Sequence, residues 1–298
     1  MSSGSRSSVL RTVVGIPTIG RPAILREVLK EITLQTRPPD GVIICGSTPA
    51  DIHGVQDICP AVTLLLSEPG LPRQRNTIMR AVRQADLVVF FDDDFLPHPD
   101  YLQVIERVML ADPRTVVATG SVLADGIGGP GLTPHVGRAI LSGISRSRQN
   151  VSTTFSGYGC NMAVRLEPVR THDVWFDERL PLYAWQEDVD FCRRLAAFGS
   201  VIRADAACGV HLGVKSGRGS GLRLGYSQVA NPLYLARKRA GYPLRRALSQ
   251  IGRNVAMNIA MSPMPEPHVD RRGRLTGNAL ALWDLIAGRM VPERILEL

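Results

Sequence analysis

Asp92, Asp93 and Asp94 stand side by side directly after the apolar run "VVFF". Three adjacent carboxylates repel one another, and none is cheap to bury without a positive or hydrogen-bonding partner. A D-x-D at the end of an apolar strand can place one carboxylate on a hard divalent cation and the other on a ribose hydroxyl. Mg²⁺ and Mn²⁺ take oxygen ligands and are often held by one or two carboxylates plus substrate phosphates. The plainer reading is a solvated acidic turn that caps the helix beginning near Pro99. D-x-D alone is common; the strand before it favours the chemical reading.

A second acidic group, Glu187, Asp188 and Asp190, lies in "YAWQEDVDFCRRL". Acidic residues in a helix's first turn ordinarily compensate the dipole. Here they follow Tyr183 and Trp185, which suit sugar rings, and a carboxylate beside an apolar wall can act as a general base. His211 in "GVHLG" closes an expected strand; it is either a hydrogen-bonded structural residue or a third metal ligand or phosphate contact. The following "KSGRGSGLR", with Arg218, is either a mobile basic loop or a diphosphate cover built from backbone N–H groups and cations. It is not a Walker motif. Arg73, Arg75 and Asn76 in "EPGLPRQRN" open a helix, where arginines oppose the dipole. They hold an anion or a nucleobase, or pair with Glu68 or with the aspartates.

The elements that must position these residues alternate. "TVVGIP" (12–17), "VIIC" (42–45), "AVTLLLS" (61–67) and "DLVVFF" (86–91) read as strands. Helices follow from Pro22, with Leu25, Val28, Leu29 and Ile32 at helical spacing, from Pro72 and from Pro99. This alternation predicts a mostly parallel sheet with helices on its faces, and ligands beyond the carboxyl ends of its strands. Residues 120–160, rich in Gly, Ser and Thr, read as long surface loops. "DVDFCRRLAAFG" reads as a helix with Gly199 as its stop, "VIRADAACGVH" as one or two short strands, and two more helices are expected near 244–261 and 274–290.

A chain of 298 residues can bury a large core. The net charge of +8 comes almost entirely from arginine and suits phosphates, nucleic acid or an acidic membrane. The five cysteines contain no C-x-x-C pair, which argues for a reducing compartment rather than a disulfide framework or zinc site. "MSSGSRSSVLR" lacks the apolar stretch of a secretory signal, and no run is long enough to span a bilayer. A cytoplasmic protein is expected, peripheral on the inner face of the plasma membrane if it meets a membrane at all. In "PLRRALSQIGRNVAMNIAM", Leu244, Leu248, Ile251, Val255 and Ile259 share a helical face, with Arg245, Arg246 and Arg253 elsewhere. That face either rests on an anionic membrane or packs on the core or on a second subunit of a homodimer.

Taken in order, these segments resemble family-2 glycosyltransferases, which have the GT-A fold. The resemblance rests on "VVGIPTIGRPAILREVLKEITLQTRPPDGVIIC", "GLPRQRN", "FFDDDFLP", "GYGCNMAVR", "FDERLPLYAWQEDVDFCRRLAAFG" and "VHLG", and it covers residues 10 to 290. The final "DRRGRLTGNALALWDLIAGR" is similar to the tails of members that build bacterial surface polysaccharides. The resemblance implies a flexible tail over 1–8, a GT-A domain over 9–240 and a C-terminal helical extension over 241–298. The donor half would span about 9–120 and the acceptor half about 121–240. It implies Pro17 and Thr18 against the nucleobase, Arg75 on the base or phosphates, and Asp92 on the donor's ribose side with Asp93 beside it; Arg218 keeps the reading of its own segment, a diphosphate cover or a mobile basic loop. Asp94 would coordinate Mg²⁺ or Mn²⁺, with His211 at the metal or the diphosphate. Asp188 would be the catalytic base and Glu187 its support or an acceptor contact, while Asn161 and Trp185 would line the acceptor side. Many members carry an acidic residue near the end of the second strand that pairs with uracil; here Cys45, Gly46 and Ser47 are neutral, so UDP, dTDP and GDP sugars all stay open.

The implied function is inverting transfer of a sugar from a nucleotide-diphosphate-sugar to a hydroxyl of a saccharide or lipid-linked saccharide. A sugar nucleotidyltransferase is the rival enzyme, but its Gly-rich phosphate loop fits "GIPTIGRPA" poorly. A non-catalytic nucleotide-sugar-binding protein of the same fold would not need both acidic motifs. Nucleic-acid binding is set aside, because no recognition motif is present and aromatic residues are few.

Overall fold

The computed structural model describes residues 9–144, 149–215, 219–264 and 266–298. The expected tail (1–8) and Arg218 therefore lie outside the described residues. The N-terminal half follows the alternation read from the sequence: β1 (Thr12–Pro17), α1 (Pro22–Thr33), β2 (Gly41–Gly46), β3 (Thr63–Leu66), α2 (Leu71–Ala81), β4 (Leu87–Phe91), β5 (Phe95–Pro97) and α3 (Tyr101–Ala111). Then come β6 (Thr115–Asp125), α4 (Pro134–Ser142), β7 (Val151–Thr153), β8 (Asn161–Arg165), α5 (Leu166–Thr171), α6 (Glu187–Leu195), β9 (Ser200–His211), α7 (Gly221–Lys238), α8 (Leu244–Met261) and α9 (Arg271–Ile286).

One sheet, ordered β3-β2-β1-β4-β8-β6-β9-β5 with β7 also on β9, spans the molecule. β1, β2, β3, β4, β6 and β9 share a direction, while β5, β7 and β8 run against it. The sheet is thus mostly parallel, as expected for the fold class. β4 is buried along its whole length because both its faces are covered. Leu87, Val89 and Phe91 join a core with Leu25, Val28, Leu29 and Ile32 of α1. Val88 and Phe90 join a second core with Ile78 and Met79 of α2 and Phe191 and Leu195 of α6. The period-2 alternation of a strand divides these side chains between the layers.

Several expectations need correction. Residues 120–160 are not loops throughout: β6 continues to Asp125, and α4 starts at Pro134 with Thr133 accepting the N–H of Val136. "VIRADAACGVH" forms one strand, β9, whose pairing with β6 jumps from Gly120–Ala204 to Ser121–Cys208 through a bulge. Gly199 is not the stop of α6, which ends at Leu195 with Ala196 as its cap. It serves a close approach instead, since a Cβ there would lie 2.1 Å from the Arg114 carbonyl oxygen. α7 has no counterpart in the sequence reading; its Gly-rich start and internal Pro232 hide it.

The helices after β9 pack around Tyr226, Val229 and Ala230 of α7 and Ala281 of α9. A buried amide layer joins all three: Asn258 of α8 donates to Gln228 of α7 and to Asn278 of α9, each at 2.9 Å. The expected apolar face of α8 is divided. Ile251 and Val255 pack inward, whereas Leu244, Leu248 and Ile259 are 56%, 56% and 55% exposed. No helix among the described residues is long and apolar enough to cross a membrane.

Candidate active site

The candidate residues converge beyond the carboxyl ends of β1, β4 and β9, where the segment before β8 meets the start of α6. Each member of the Asp92–Asp94 run has a cationic partner. Asp93 faces Arg21, whose Nη1 is 2.9 Å from its Oδ1, and accepts the Thr18 hydroxyl at 2.7 Å. Asp94 lies 3.2 Å from the same Arg21 nitrogen and 3.3 Å from His211 Nε2, and it accepts the N–H of Val214 at 2.8 Å. Asp92 pairs with Arg75 at 3.1 Å. Like-charge repulsion along the run is thus offset locally by two guanidinium groups and an imidazole.

Arg75 is fully buried. Its Nη1 reaches Glu187 Oε1 at 2.5 Å, and its Nη2 reaches Asp92 and, at 2.8 Å, the carbonyl of Gly159. The guanidinium lies against the rings of Phe90 and Phe176, 5.5 and 5.3 Å from their centroids, and those two rings meet edge to face with centroids 5.7 Å apart. Burial works against its charge, but Glu187, Asp92 and Asp188 hold it protonated. The expectation that Arg75 touches a base or phosphates is therefore corrected: it lies under the site, because helix α2 packs its first turn inward. Its pairing with an aspartate is the plainer alternative read from the sequence. Arg73 faces Glu178 instead, at 3.8 Å.

Asp188 sits in the first turn of α6 and accepts two backbone N–H groups, Gly159 at 2.9 Å and Val189 at 2.8 Å. Burial pushes its carboxyl up, the direction a general base needs. Burial likewise pushes Glu187 and Asp93 up, while the guanidinium groups of Arg75 and Arg21 pull them back toward the charged form. Asp94 moves the other way: His211 and Arg21 outweigh its burial. Burial alone would lower His211, but Asp125 and Asp94 override it and push the imidazole up to about 10.

Asp92, Asp94 and His211 each offer a ligand atom, and those atoms lie within 4.8 Å of one another. Two carboxylates and an imidazole form a donor set that fits Mg²⁺ or Mn²⁺. Asp92, expected on the ribose side, thus also belongs to this cluster. Pro17 and Thr18 are buried, and Thr18 is spent on Asp93. Asn161 does not line an open acceptor side. It is fully buried, and its Oδ1 accepts from the Thr119 hydroxyl at 2.7 Å and the Gly120 N–H at 2.9 Å, tying β8 to β6. Trp185 is half-buried before α6, and its carbonyl accepts from Asn231 at 2.8 Å. Sequence reasoning missed Arg21, Asp125 and Gly159. Arg21 carries the same signal as Arg75, a cation at a helix start. Asp125 in "LADGIGG" carries none, because only the fold brings it to His211.

A model of glycosyl transferase family 2 matches residues 13–172, more than half of the chain. The protein belongs to that family. A search of curated proteins by sequence finds no match. Among solved structures, the chain is similar to a mannosyltransferase, PcManGT, from Pyrobaculum calidifontis, solved in complex with GDP-Man and Mn²⁺. Identity is 19% and the TM-score 0.57, over 97% of this chain and 86% of that one. It is also similar to GalNAc-T7 with UDP, GalNAc and Mn²⁺ (12%, TM-score 0.59, 97% of this chain and 57% of that one). S. aureus TarS is a third (15%, TM-score 0.55, 96% and 55%). The chain spans little more than half the length of the last two. At such identities the likeness establishes the GT-A fold.

Proposed function

We propose that the protein is a metal-dependent, inverting glycosyltransferase. It moves a sugar from a nucleotide-diphosphate-sugar to a hydroxyl of a saccharide or lipid-linked saccharide, in bacterial polysaccharide or glycoconjugate synthesis. One observation carries the reading: Arg75 bridges Asp92 of the first acidic run and Glu187 of the second, so the carboxylates for donor and acceptor chemistry share one buried support.

In this reading residues 9–120 hold the donor, 121–240 the acceptor, and 241–298 extend the domain. The donor lies over the ends of β1 and β4, with Pro17 and Thr18 toward the base and Asp92 toward the ribose. Asp94 and His211, with Asp92 beside them, would hold a divalent cation, which would supply positive charge for the departing diphosphate. Asp188 takes the proton of the acceptor hydroxyl as its oxygen bonds to the anomeric carbon and the bond to the diphosphate oxygen breaks. A single displacement inverts that centre. Gly159 and Val189 hold both oxygens of Asp188 in place, and Glu187 fixes Arg75. Arg21 keeps Asp93 and Asp94 apart from mutual repulsion.

The exposed side of α8 supports contact with an acidic membrane carrying a lipid-linked acceptor. Leu244, Leu248 and Ile259 stand free beside Arg245, Arg246 and Arg253, and the helix contains no acidic residue. The reading is tested by thermal denaturation with UDP, dTDP, GDP and CMP, each with and without Mn²⁺. A ligand that binds only the folded state raises Tm. One nucleoside diphosphate stabilising the protein only with Mn²⁺ is expected; no nucleotide effect under any condition counts against a donor site.

A further inference from the structure

β6 and β9 run parallel and end in register, with Asp125 beside His211. Asp125 Oδ1 lies 2.9 Å from His211 Nδ1, and the other ring nitrogen, Nε2, lies 3.3 Å from Asp94 Oδ1. An imidazole has two nitrogens, so the group that holds one decides what the other faces. Asp125 is fixed in turn. Its Oδ2 accepts the Tyr158 hydroxyl at 2.9 Å, and its Oδ1 also accepts the N–H of Ile127 at 3.0 Å. The Tyr158 ring stands edge-on to the imidazole, centroids 6.0 Å apart. Beyond them, Lys215 Nζ donates to the carbonyls of Gly126 and Ile127 at 3.0 and 2.8 Å, which ties the turn after Asp125 to the segment after His211.

We propose that Asp125, held by Tyr158, is the positioning residue of the cation site: it sets the His211 ring with Nε2 toward Asp94 and Asp92. The proposal rests on the reading of Asp92, Asp94 and His211 as that site. Asp125 touches neither Asp92 nor Asp94 and acts only through the ring. A competing account makes it a simple cap of the short turn Gly126–Gly128, through Ile127. Capping requires one oxygen and one N–H; it does not require the histidine on the same oxygen or a tyrosine on the other. The geometry also reaches the acceptor side, because Tyr158 precedes Gly159, which holds Asp188 and Arg75.

Outer carboxylates that hold a metal-binding histidine are typically worth about 10–100-fold in metal affinity. The experiment is Mn²⁺ titration of the full chain, read by the EPR signal of free Mn²⁺, with Tm in chelator as the folding control. Asp125→Ala should weaken Mn²⁺ binding about 10–100-fold. Asp125→Asn can still cap the turn, so it should keep Tm while binding Mn²⁺ more weakly. Asp125→Ala that lowers Tm but binds Mn²⁺ within about twofold of wild type, a factor small against the expected loss, is a mere cap and overturns the proposal. If the alanine variant does not fold, Asp125→Asn decides by the same criterion. Wild type that binds no Mn²⁺, or Asp94→Asn that binds as well as wild type, removes the cation site itself and the proposal with it. That pattern is distinct from one in which only the Asp125 variants are silent.

Discussion

Arg75 and Glu187 form a buried ion pair at 2.5 Å, and the same guanidinium carries Asp92. Removing one partner of such a pair strands the other charge at a cost of about 3–5 kcal/mol. Arg75→Met should therefore lower stability by that amount in urea denaturation. Arg75→Lys keeps the charge but not the planar fork, so it should retain more stability while still lowering turnover. A methionine variant as stable as wild type would show that the pair supports nothing.

Asp188→Asn keeps the shape of the α6 start but cannot accept a proton. Transfer should fall by about 10²–10⁴-fold while nucleotide binding stays unchanged. Turnover at the wild-type rate, measured by release of the nucleoside diphosphate in the presence of acceptor, would remove Asp188 from the role of base.

Gly159 sits where no side chain fits easily. A Cβ there would lie 3.1 and 3.2 Å from the two terminal nitrogens of Arg75 and 3.3 Å from Asp188 Oδ2. Gly159→Ala must push on both at once. Turnover should drop by about tenfold to 10²-fold, with Tm changed little. A Tm collapse with normal turnover in the surviving fraction would reverse that assignment.

His211 gives a pH signature. Its folded pKa is raised to about 10 from the ordinary 6.5, with Asp125 and Asp94 overriding its burial. A group raised in the folded state contributes its stability in full below the unfolded pKa and loses it as pH climbs through the folded one. The cation-free protein should therefore lose stability between pH 6.5 and about 10, and His211→Gln should flatten that segment. Parallel Tm-against-pH curves for the two proteins would contradict the charge arrangement.

Leu248→Glu and Ile259→Glu place charge on the exposed side of α8 without touching its amide layer. Both should lose flotation with acidic vesicles at low salt and keep Tm. If wild type does not float but sediments as a dimer that these variants break, a second subunit covers the face instead.

The donor half of the fold was legible because its signals are local. The β4 run, Pro22 at a helix start, and Leu25, Val28, Leu29 and Ile32 at helical spacing each report their own neighbourhood. Asp92, Asp94 and His211 were found as types at strand ends, and the structure brings them within ligand distance of one another. What stayed hidden depends on distant pairing. The resemblance places Asn161 on the acceptor side and Arg75 on the base or phosphates; β8, inserted between β4 and β6, buries the first, and α2 turns the second inward. α7 was missed because Pro232 normally ends a helix; here it is buried inside one.

The insertion of β8 also bears on how the chain is made. β4 is pinned on one edge by β1, and its other edge waits for Asn161–Arg165, which also closes the gap to β6. During synthesis that open, greasy edge is exposed while the whole of 92–160 emerges, which makes it a template for pairing between nascent chains. A fragment cut short of Asn161 leaves that edge of β4 without its partner strand.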